Sequence, residues 1–289
     1  LPALPSSFVT PSFPLRQQGS SQSKGNILVT GGAGYIGSQT VRELLRQGYD
    51  VVIVDSLVKG RRFAVERNRD LAQQLGRRLV FEQGDLADRE FLNEVFRRNR
   101  IDAVMHFAAF IEVGESVHHP ALYFYNNIVN TMHLLDAMKE AGVGRIIFSS
   151  SAAVYGEPNR VPIPEEAPTI PINPYGFTKL TMEKMIRHYQ EKFGIEWVAL
   201  RYFNASGASE DSQLGEAHSP ESHLIPRTID KLSQGEQMTV YGIDYTTRDG
   251  TCLRDYISVE DLARAHILAL EARGETANRA YNLGSSSGF

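Results

Sequence analysis

Short apolar segments alternate with amphipathic segments along most of the chain. The apolar segments are rich in β-branched residues and have the length of buried strands; they span residues 26–30, 51–55, 79–83, 103–107, 145–149 and 197–201. The amphipathic segments repeat apolar residues at helical spacing and span residues 36–47, 89–98, 121–141 and 175–193. Strands that are apolar on both faces and alternate with helices are typical of a parallel sheet with helices on both sides. The pattern therefore predicts an α/β fold with a doubly wound parallel sheet.

The alternation breaks down after Phe203. Residues 204–220 are mostly small or polar, which predicts a long loop. Farther on, the pattern predicts a helix at residues 224–233, strands at 238–241 and 253–257, a helix at 260–273 and a strand at 280–283. We therefore expect one domain at residues 25–203 and a smaller C-terminal lobe at 204–289, parts of which return to the first domain. Because the pattern stops without a terminal helix, we expect this lobe to be truncated.

The first 24 residues differ from the rest in composition. They are rich in proline and serine and contain no acidic residue. Such a composition is typical of a disordered tail or of the remnant of an organelle transit peptide. We therefore expect residues 1–24 to lie outside the fold.

Composition and charge exclude several classes of partner. The formal net charge of −4 argues against nucleic acid, whose phosphates are held by an excess of Lys and Arg. No apolar run approaches the roughly 20 residues of a membrane-spanning helix. The single cysteine, Cys252, cannot form an internal disulfide, which favours a reducing compartment, the cytoplasm by default or an organelle if the tail is a transit remnant. The eight histidines and the cysteine lack metal-ligand spacing, so we expect no metal site.

A glycine-rich turn lies between the first predicted strand and the first predicted helix. Gly31, Gly34 and Gly37 allow a tight turn, the approach of a pyrophosphate to the backbone, and close packing of helix on strand. The amino end of the helix then offers free N–H groups to phosphate. Asp55, at the end of the second strand, can accept hydrogen bonds from both hydroxyls of an adenine ribose and would repel a 2′-phosphate. The pattern therefore predicts a Rossmann domain that binds NAD rather than NADP.

Asp85 directly follows the third predicted strand. In this architecture that edge of the sheet faces the adenine ring, which makes Asp85 a candidate cofactor residue. The alternative is that Asp85 caps the helix beginning near Arg89. The sequence leaves both interpretations open.

Tyr175 and Lys179 are four residues apart in a helical pattern, so their side chains share one helix face. A tyrosine with a pKa of about 10 is a poor base at neutral pH. A nearby positive charge favours the phenolate, and both the ammonium group and an oxidised nicotinamide ring can supply one. Ser149, Ser150 and Ser151 lie at the end of the fifth strand, where parallel sheets bind ligands. A serine hydroxyl there can hydrogen-bond the reacting oxygen, although capping is an alternative role.

Taken in order, these elements resemble the extended short-chain dehydrogenase/reductase family. The resemblance runs from about Asn26 to the end of the chain. Its further markers are His-Phe-Ala-Ala at residues 106–109, Arg-Tyr-Phe-Asn at 201–204, and residues 249–257, which are more specific to sugar-nucleotide epimerases. The chain departs from many epimerases at Glu112, near which they place a lysine close to the cofactor.

The resemblance implies a role for each matching residue. Tyr175 is implied as the base, Ser151 as its hydrogen-bonding partner on the sugar O4, and Lys179 as a ligand of the nicotinamide ribose. The implied cofactor-binding residues are Gly31, Gly34, Tyr35, Ile36, Gly37, Asp55, Asp85, Leu86, Phe107, Ala108, Ala109, Asn127, Ser149, Tyr175, Lys179 and Tyr202. The implied substrate-binding residues are Ser151, Tyr175, Asn204, His223, Leu224, Thr239, Tyr241 and Arg254, with Tyr241 on the uracil and Arg254 on the diphosphate.

The implied activity is an NAD-dependent 4-epimerisation of a UDP-sugar, interconverting UDP-galactose and UDP-glucose through a 4-keto intermediate. Related dehydratases carry an Asp-Glu pair after the catalytic Ser or Thr, where this chain has Ala152 and Ala153, so epimerisation fits better than elimination. Two alternatives remain: epimerisation of UDP-xylose and UDP-arabinose, and an inactive NAD-binding fragment. The resemblance also implies a homodimer paired through two helices whose apolar residues include Leu134, Leu135, Met138, Met182, Met185 and Ile186. The alternative is that these residues pack in the core of the monomer.

Overall fold

The structure, a computed structural model, describes residues 22–219, 221–240, 242–286 and 288. Most of the predicted tail therefore lies outside the described residues, as does the predicted substrate residue Tyr241.

Parallel strands form the centre of the fold. The strands are β1 (Asn26–Thr30), β2 (Asp50–Asp55), β3 (Leu79–Gln83), β4 (Ala103–His106), β5 (Arg145–Ser151), β6 (Glu196–Tyr202), β7 (Asn204–Ser206), β8 (Tyr256–Ser258) and β9 (Arg279–Leu283). Within the described chain, seven of them form one parallel sheet in the order β3-β2-β1-β4-β5-β6-β9, and β7 pairs with β8. The order reverses between β1 and β4, and ligands bind at such reversals outside the carboxyl ends of the strands.

Helices cover both faces of this sheet. They are α1 (Tyr35–Arg46), α2 (Arg62–Gln74), α3 (Arg89–Arg98), α4 (Val113–His118), α5 (Pro120–Tyr123), α6 (Asn130–Ala141), α7 (Pro174–Phe193), α8 (Leu224–Ser233) and α9 (Val259–Glu271). A π-helical turn at Phe124–Val129 joins α5 to α6, and 3-10 turns lie at Ala152–Tyr155 and Gly274–Thr276. Among the described residues, no helix combines the length and the apolar character needed to cross a bilayer.

Alternate side chains along each strand build two cores. Leu28 of β1 packs on one face with residues of α3, α6 and α7. Its neighbours Ile27 and Val29 pack on the other face with residues of α1, α2 and α9. Because both faces of the strands are buried, the strands are apolar at almost every position, and the prediction of a doubly wound sheet is confirmed.

The sequence pattern did not predict α2 and α4. Helix α2 is rich in charged residues, and its buried residues are Ala64, Val65, Asn68 and Ala72. Such a narrow face of mostly small residues gives little apolar periodicity. The helix predicted at residues 121–141 is divided by the π-helical turn, where the buried side chain of Asn127 bonds the backbone of Phe110.

The strand predicted at residues 238–241 is wrong over its described part, because residues 238–240 have no regular structure and Val240 is exposed. The strand predicted at 253–257 is shifted to Tyr256–Ser258. The predicted loop at 204–220 begins with β7. The pattern of apolar residues does not set the bounds of these strands. β8 forms where its residues pair with those of β7.

Two leucines on α9 test whether this helix packs in the core of the protein. Leu262 is fully buried, whereas Leu268 is 69% exposed. We expect Leu262→Ala to lower the free energy of unfolding by about 2–5 kcal/mol, because it leaves a cavity. Leu268→Ala should change it by less than about 0.5 kcal/mol. Urea denaturation of both variants measures this difference, and equal losses would contradict the described packing of α9.

Candidate active site

The glycine turn between β1 and α1 is packed too closely for side chains. Gly31 has a φ of +71°, and a Cβ there would lie 2.7 Å from the backbone nitrogen of Ala108. A Cβ at Gly37 would lie 2.2 Å from the carbonyl oxygen of Gly31. Within the described part of the chain, no side chain caps the amino end of α1, and its first turn contains no acidic residue. The turn therefore fits the pyrophosphate of a dinucleotide, which needs bare backbone N–H groups.

Two further predicted cofactor residues, Tyr35 and Ile36, begin α1. The Tyr35 hydroxyl donates a hydrogen bond of 2.6 Å to the carbonyl of Gly207, so the loop after β7 lies over the turn.

Asp55 ends β2 beside the turn and is buried. Its Oδ2 accepts a hydrogen bond from the Ala33 N–H at 2.9 Å, and its Oδ1 accepts one from the Leu57 N–H at 2.8 Å. Burial raises the pKa of Asp55, while these two hydrogen bonds lower it. The carboxylate is thus fixed in orientation at the end of β2, where an acid can bind ribose hydroxyls.

Asp85 does not cap α3. That cap is Asp88, whose side chain accepts a hydrogen bond from the Phe91 N–H at 2.9 Å. The Asp85 carboxylate instead accepts hydrogen bonds from the Ala87 N–H and, at 3.3 Å, from the Asn130 side chain. The capping alternative is therefore wrong, and Asp85 and the buried Leu86 remain candidates at the edge of β3.

The predicted catalytic side chains meet where β5 ends and α7 begins. Asn173 caps α7 by accepting a hydrogen bond from the Gly176 N–H, and Tyr175 lies in its first turn. The Lys179 ammonium donates a hydrogen bond of 2.7 Å to the Ser149 carbonyl and lies 5.8 Å from the centre of the Tyr175 ring. Ser151, the last residue of β5, accepts a hydrogen bond from the Ala153 N–H and also interacts with the Tyr175 phenol.

Burial dominates the electrostatics of this group. Burial, with a smaller contribution from Glu112, raises the pKa of Tyr175 to about 12, against the lowering effect of the Ser151 hydroxyl. Burial also lowers the pKa of Lys179 to about 7, while Glu183 raises it. Lys179 and Ser151 alone therefore leave the phenol protonated at neutral pH.

The remaining predicted cofactor residues line the ends of β4, β5 and β6. The N–H of Phe107 donates to the Thr30 carbonyl at 3.0 Å, which holds residues 107–109, including Ala108 and Ala109, beside the glycine turn. The hydroxyl groups of Ser149 and Tyr202 form a hydrogen bond, and burial raises the pKa of Tyr202.

Asn127 has a structural partner for each end of its amide. It accepts a hydrogen bond from the Phe110 N–H at 2.8 Å, and its nitrogen donates to the Phe110 carbonyl and to the Thr178 hydroxyl. Since Thr178 in turn donates to the Tyr175 carbonyl, Asn127 links the segment after β4 to the first turn of α7.

The predicted substrate residues are more exposed. Asn204 donates a hydrogen bond of 2.9 Å to the Asp255 carbonyl and so joins β7 to β8. His223 precedes α8 and is half exposed, and Leu224 is exposed. Thr239 and Arg254 are exposed as well.

A buried ion pair behind the serines was not predicted. Glu183, on α7, pairs with Arg201 of β6 at 2.6 Å and accepts a hydrogen bond of 2.5 Å from Ser150. Arg201 also donates to the hydroxyl of Tyr155 at 2.9 Å. The only signal in the sequence was that Glu183 lies one turn after Lys179, and nothing there indicated Arg201 as its partner.

Five apolar residues named for helix pairing lie inside the protein instead. Leu134, Leu135, Met138, Met182 and Ile186 are buried in the core between α3, α6 and α7. Their use as evidence for a dimer was wrong, because a helix on a doubly wound sheet already needs an apolar face. The exposed apolar residues of this region are others: Leu122, Phe124, Tyr125, Met132 and Phe177.

The chain matches both a protein-family model and known enzymes. Residues 27–284 match the model of the NAD dependent epimerase/dehydratase family. The chain is 49% identical over 265 residues to the UDP-glucose 4-epimerase of Halalkalibacterium halodurans, covering 91% of this chain and 76% of the relative.

Solved structures of UDP-glucose 4-epimerases superpose on this fold. The UDP-glucose 4-epimerase of Brucella ovis in complex with NAD gives a TM-score of 0.84 at 48% identity, covering 92% of this chain and 79% of that one. The enzyme of Bifidobacterium longum in complex with NAD+ and UDP gives 0.84 at 42% identity, covering 91% and 79%. The glycine turn, the sheet order and these matches agree, and the chain belongs to the NAD dependent epimerase/dehydratase family, within the extended short-chain dehydrogenases/reductases.

Proposed function

We propose that the protein interconverts UDP-galactose and UDP-glucose by inverting the configuration at C4, with NAD as cofactor. The observation that carries the proposal is the group formed by the half-buried Ser151 and the buried Tyr175 and Lys179, at the carboxyl end of the sheet that also carries the glycine turn. It occurs in a chain about half identical to UDP-glucose 4-epimerases. Because these relatives are named for glucose, we propose the hexose rather than the pentose as substrate.

Each residue of the group has a defined task in this proposal. Bound NAD would supply the redox chemistry, reversible hydride transfer at C4 of the sugar. Tyr175 takes the proton from the O4 hydroxyl and later gives it back. Ser151 hydrogen-bonds the same oxygen, and Lys179 holds the nicotinamide ribose while its charge favours the phenolate. Gly31, Gly37 and Asp55 hold the pyrophosphate and the adenine ribose.

Activation of the base requires more than the lysine. Since burial raises the pKa of Tyr175 to about 12, only about one phenol in 10⁵ would be ionised at pH 7. We propose that the positive charge of the oxidised cofactor lowers this pKa, which is effective because the site is desolvated. The base would then be active only when the cofactor is bound in its oxidised form.

The residues after Ser151 favour epimerisation over elimination. Ser151 is followed by Ala152 and Ala153, which cannot transfer protons, so these two positions supply no acid to protonate a leaving hydroxyl of the sugar. The exposed His223, Leu224, Thr239 and Arg254, with Asn204 and Tyr241, are proposed to hold the UDP portion. Anchoring this remote portion leaves the sugar free to turn between the two hydride transfers.

Replacing Tyr175 by phenylalanine tests the base. We expect Tyr175→Phe to lower the conversion of UDP-galactose at least about 100-fold, because the proton acceptor is lost, while bound NAD is retained. Tyr189→Phe, which removes a hydroxyl from the same helix α7, is the control and should remain active. Assays run in parallel with UDP-galactose and UDP-xylose measure both variants and the sugar preference. A wild-type chain that binds NAD but converts neither sugar would support the inactive fragment instead.

Glu112 provides a test of the pKa. Its carboxylate raises the pKa of Tyr175, so removing the charge should lower that pKa. Because the phenolate is the active form, kcat/KM rises with pH below this pKa. Glu112→Gln should therefore move the rising limb of the kcat/KM profile to lower pH, whereas the exposed Glu140→Gln should leave it in place. A shift to higher pH, or equal profiles, would argue against Tyr175 as the titrating base.

We further propose that the protein forms a homodimer through the surface formed by the π-helical turn at Phe124–Val129, α6 and α7. Phe124, Tyr125, Met132 and Phe177 are exposed on this surface, and the rings of Phe124 and Phe177 are 5.8 Å apart. Exposed aromatic residues and methionines are enriched at protein interfaces. A reducing compartment such as the cytoplasm is proposed from the single cysteine.

A charge placed on this surface should separate the subunits. Tyr125 and Leu268 are 71% and 69% exposed, and Leu268 lies on α9. We expect Tyr125→Glu to sediment as a monomer at concentrations where the wild type and Leu268→Glu sediment as dimers. Dissociation by both variants, or by neither, would contradict the proposed surface.

A further inference from the structure

Four potential metal ligands meet in the loop before α8. They are Glu216, His218, Glu221 and His223, and one ligand atom from each lies within 4.8 Å of all the others. The side chains of Glu216, His218 and Glu221 are largely buried, while that of His223 is half exposed. Of these four residues, only His223 has a role in the proposed function, at the UDP portion. Its Nδ1 faces the cluster, so its other ring nitrogen, Nε2, stays available for that role.

The separations within the cluster suit a common ion. His218 Nδ1 lies 3.1 Å from a Glu216 oxygen and 3.8 Å from a Glu221 oxygen, and His223 Nδ1 lies 3.7 Å from the same Glu221 oxygen. In tetrahedral coordination, two ligand atoms about 2.1 Å from a zinc ion are about 3.4 Å apart. His223 Nδ1 also contacts Glu216 directly, and small movements of these two side chains would open that contact to the same spacing.

His218 gives an independent indication that something else belongs between these side chains. Its Nδ1 is shielded from solvent, and within the described residues it has no hydrogen-bond partner of acceptable geometry, although two carboxylates are close. A buried polar atom without a partner is costly, and such an atom in a native structure calls for a water or an ion. A metal ion would satisfy this nitrogen and both carboxylates at once.

We propose that Glu216, His218, Glu221 and His223 bind one divalent transition-metal ion, with Zn²⁺ the best match to two imidazoles and two carboxylates. Two carboxylates and two neutral imidazoles around a dication form a site with no net charge. Four protein ligands form a closed site, which is structural rather than catalytic. The proposal does not depend on the epimerase activity.

The position of the cluster indicates what the ion would do. The Tyr35 ring meets the His218 ring edge-on at 6.4 Å, and the Tyr35 hydroxyl holds Gly207. On the other side, Ser222 donates a hydrogen bond of 2.7 Å to Glu112, the residue that raises the pKa of Tyr175. An ion here would therefore fasten the long loop before α8 across the glycine turn and fix Leu224 at the start of α8. Because all four ligands lie within eight residues of one loop, the ion would stabilise that loop by binding its folded form.

The expectation of no metal site followed from the spacing of histidine and cysteine alone. Glu216 and Glu221 join the two histidines as potential ligands only because of the path of the loop. The backbone N–H of His218 donates a hydrogen bond to the side chain of Glu221. Without a metal, the same four side chains would form a network of hydrogen bonds and ion pairs, and the experiment must separate these two cases.

Metal content measures the difference directly. Tag-free protein with its bound NAD is dialysed against a chelator and then titrated with Zn²⁺ alone, and the bound ion is counted by elemental mass spectrometry. We expect one ion per chain, bound more tightly than about 1 µM, as is usual for structural zinc. Zinc should also protect the loop around residue 215 from limited proteolysis.

Variants identify the ligands. His218→Ala and Glu216→Gln should each weaken binding at least about 100-fold, more than the loss of an outer-shell partner does. His188→Ala and Glu191→Gln, which alter an exposed His/Glu pair on α7, are the matched controls and should bind as the wild type. Glu221→Gln is the milder variant should either ligand variant fail to fold, which zinc-free unfolding curves reveal. No bound ion, several weak sites, or equal loss in the controls would overturn the proposal and leave the ion-pair network.

Discussion

The hydrogen bond from the Lys179 ammonium to the Ser149 carbonyl fixes helix α7 against the end of β5, and the geometry of the site depends on it. Tyr175 lies one turn earlier on the same helix, so its phenol is positioned by the same contact. The ammonium is buried, which disfavours its charged form, and Glu183 restores part of that charge. Glu183 in turn forms an ion pair with Arg201, so α7 is bound to β6 as well as to β5. Removing one member of such a buried pair leaves the other charge uncompensated, which lowers the stability of the fold.

The two halves of the site differ in how firmly they are built. The half proposed to bind the cofactor consists of strand ends, a bare glycine turn and buried polar side chains such as Asp55, which has defined partners. The half proposed to bind the substrate consists of a long loop and of α8, whose apolar residues Leu224, Ile229 and Leu232 are exposed. This division suits a reaction in which the cofactor stays in place while the sugar turns. It also explains why a fastening point in the loop, such as the Glu/His cluster, would influence the substrate half most.

The sequence carried enough information to predict the sheet and the catalytic helix. Buried parallel strands must be apolar on both faces, so β1 to β6 were visible as short apolar runs, and only their ends moved by one or two residues. The glycine turn was visible because Gly31 and Gly37 have no room for a side chain. Tyr175 and Lys179 were visible as a pair because a helix brings residues four apart onto one face. All of these features depend on residues that are close together in the chain.

What remained undetermined depends on residues far apart in the chain. The strand predicted at residues 238–241 was wrong over its described part, residues 238–240, because a strand needs a partner to pair with. Leu134 and Ile186 are apolar because they pack in the core and not because they contact a partner subunit. Only their burial in the structure distinguishes the two explanations. The Glu183–Arg201 pair joins two elements, α7 and β6, whose closeness no spacing rule gives. The Glu/His cluster is the exception, since its residues are close in the chain and only the course of an irregular loop brings their side chains together. The sequence by itself determined which local structures form and which chemical groups are present; the tertiary structure decided their neighbours and their desolvation, because both depend on how distant segments pack.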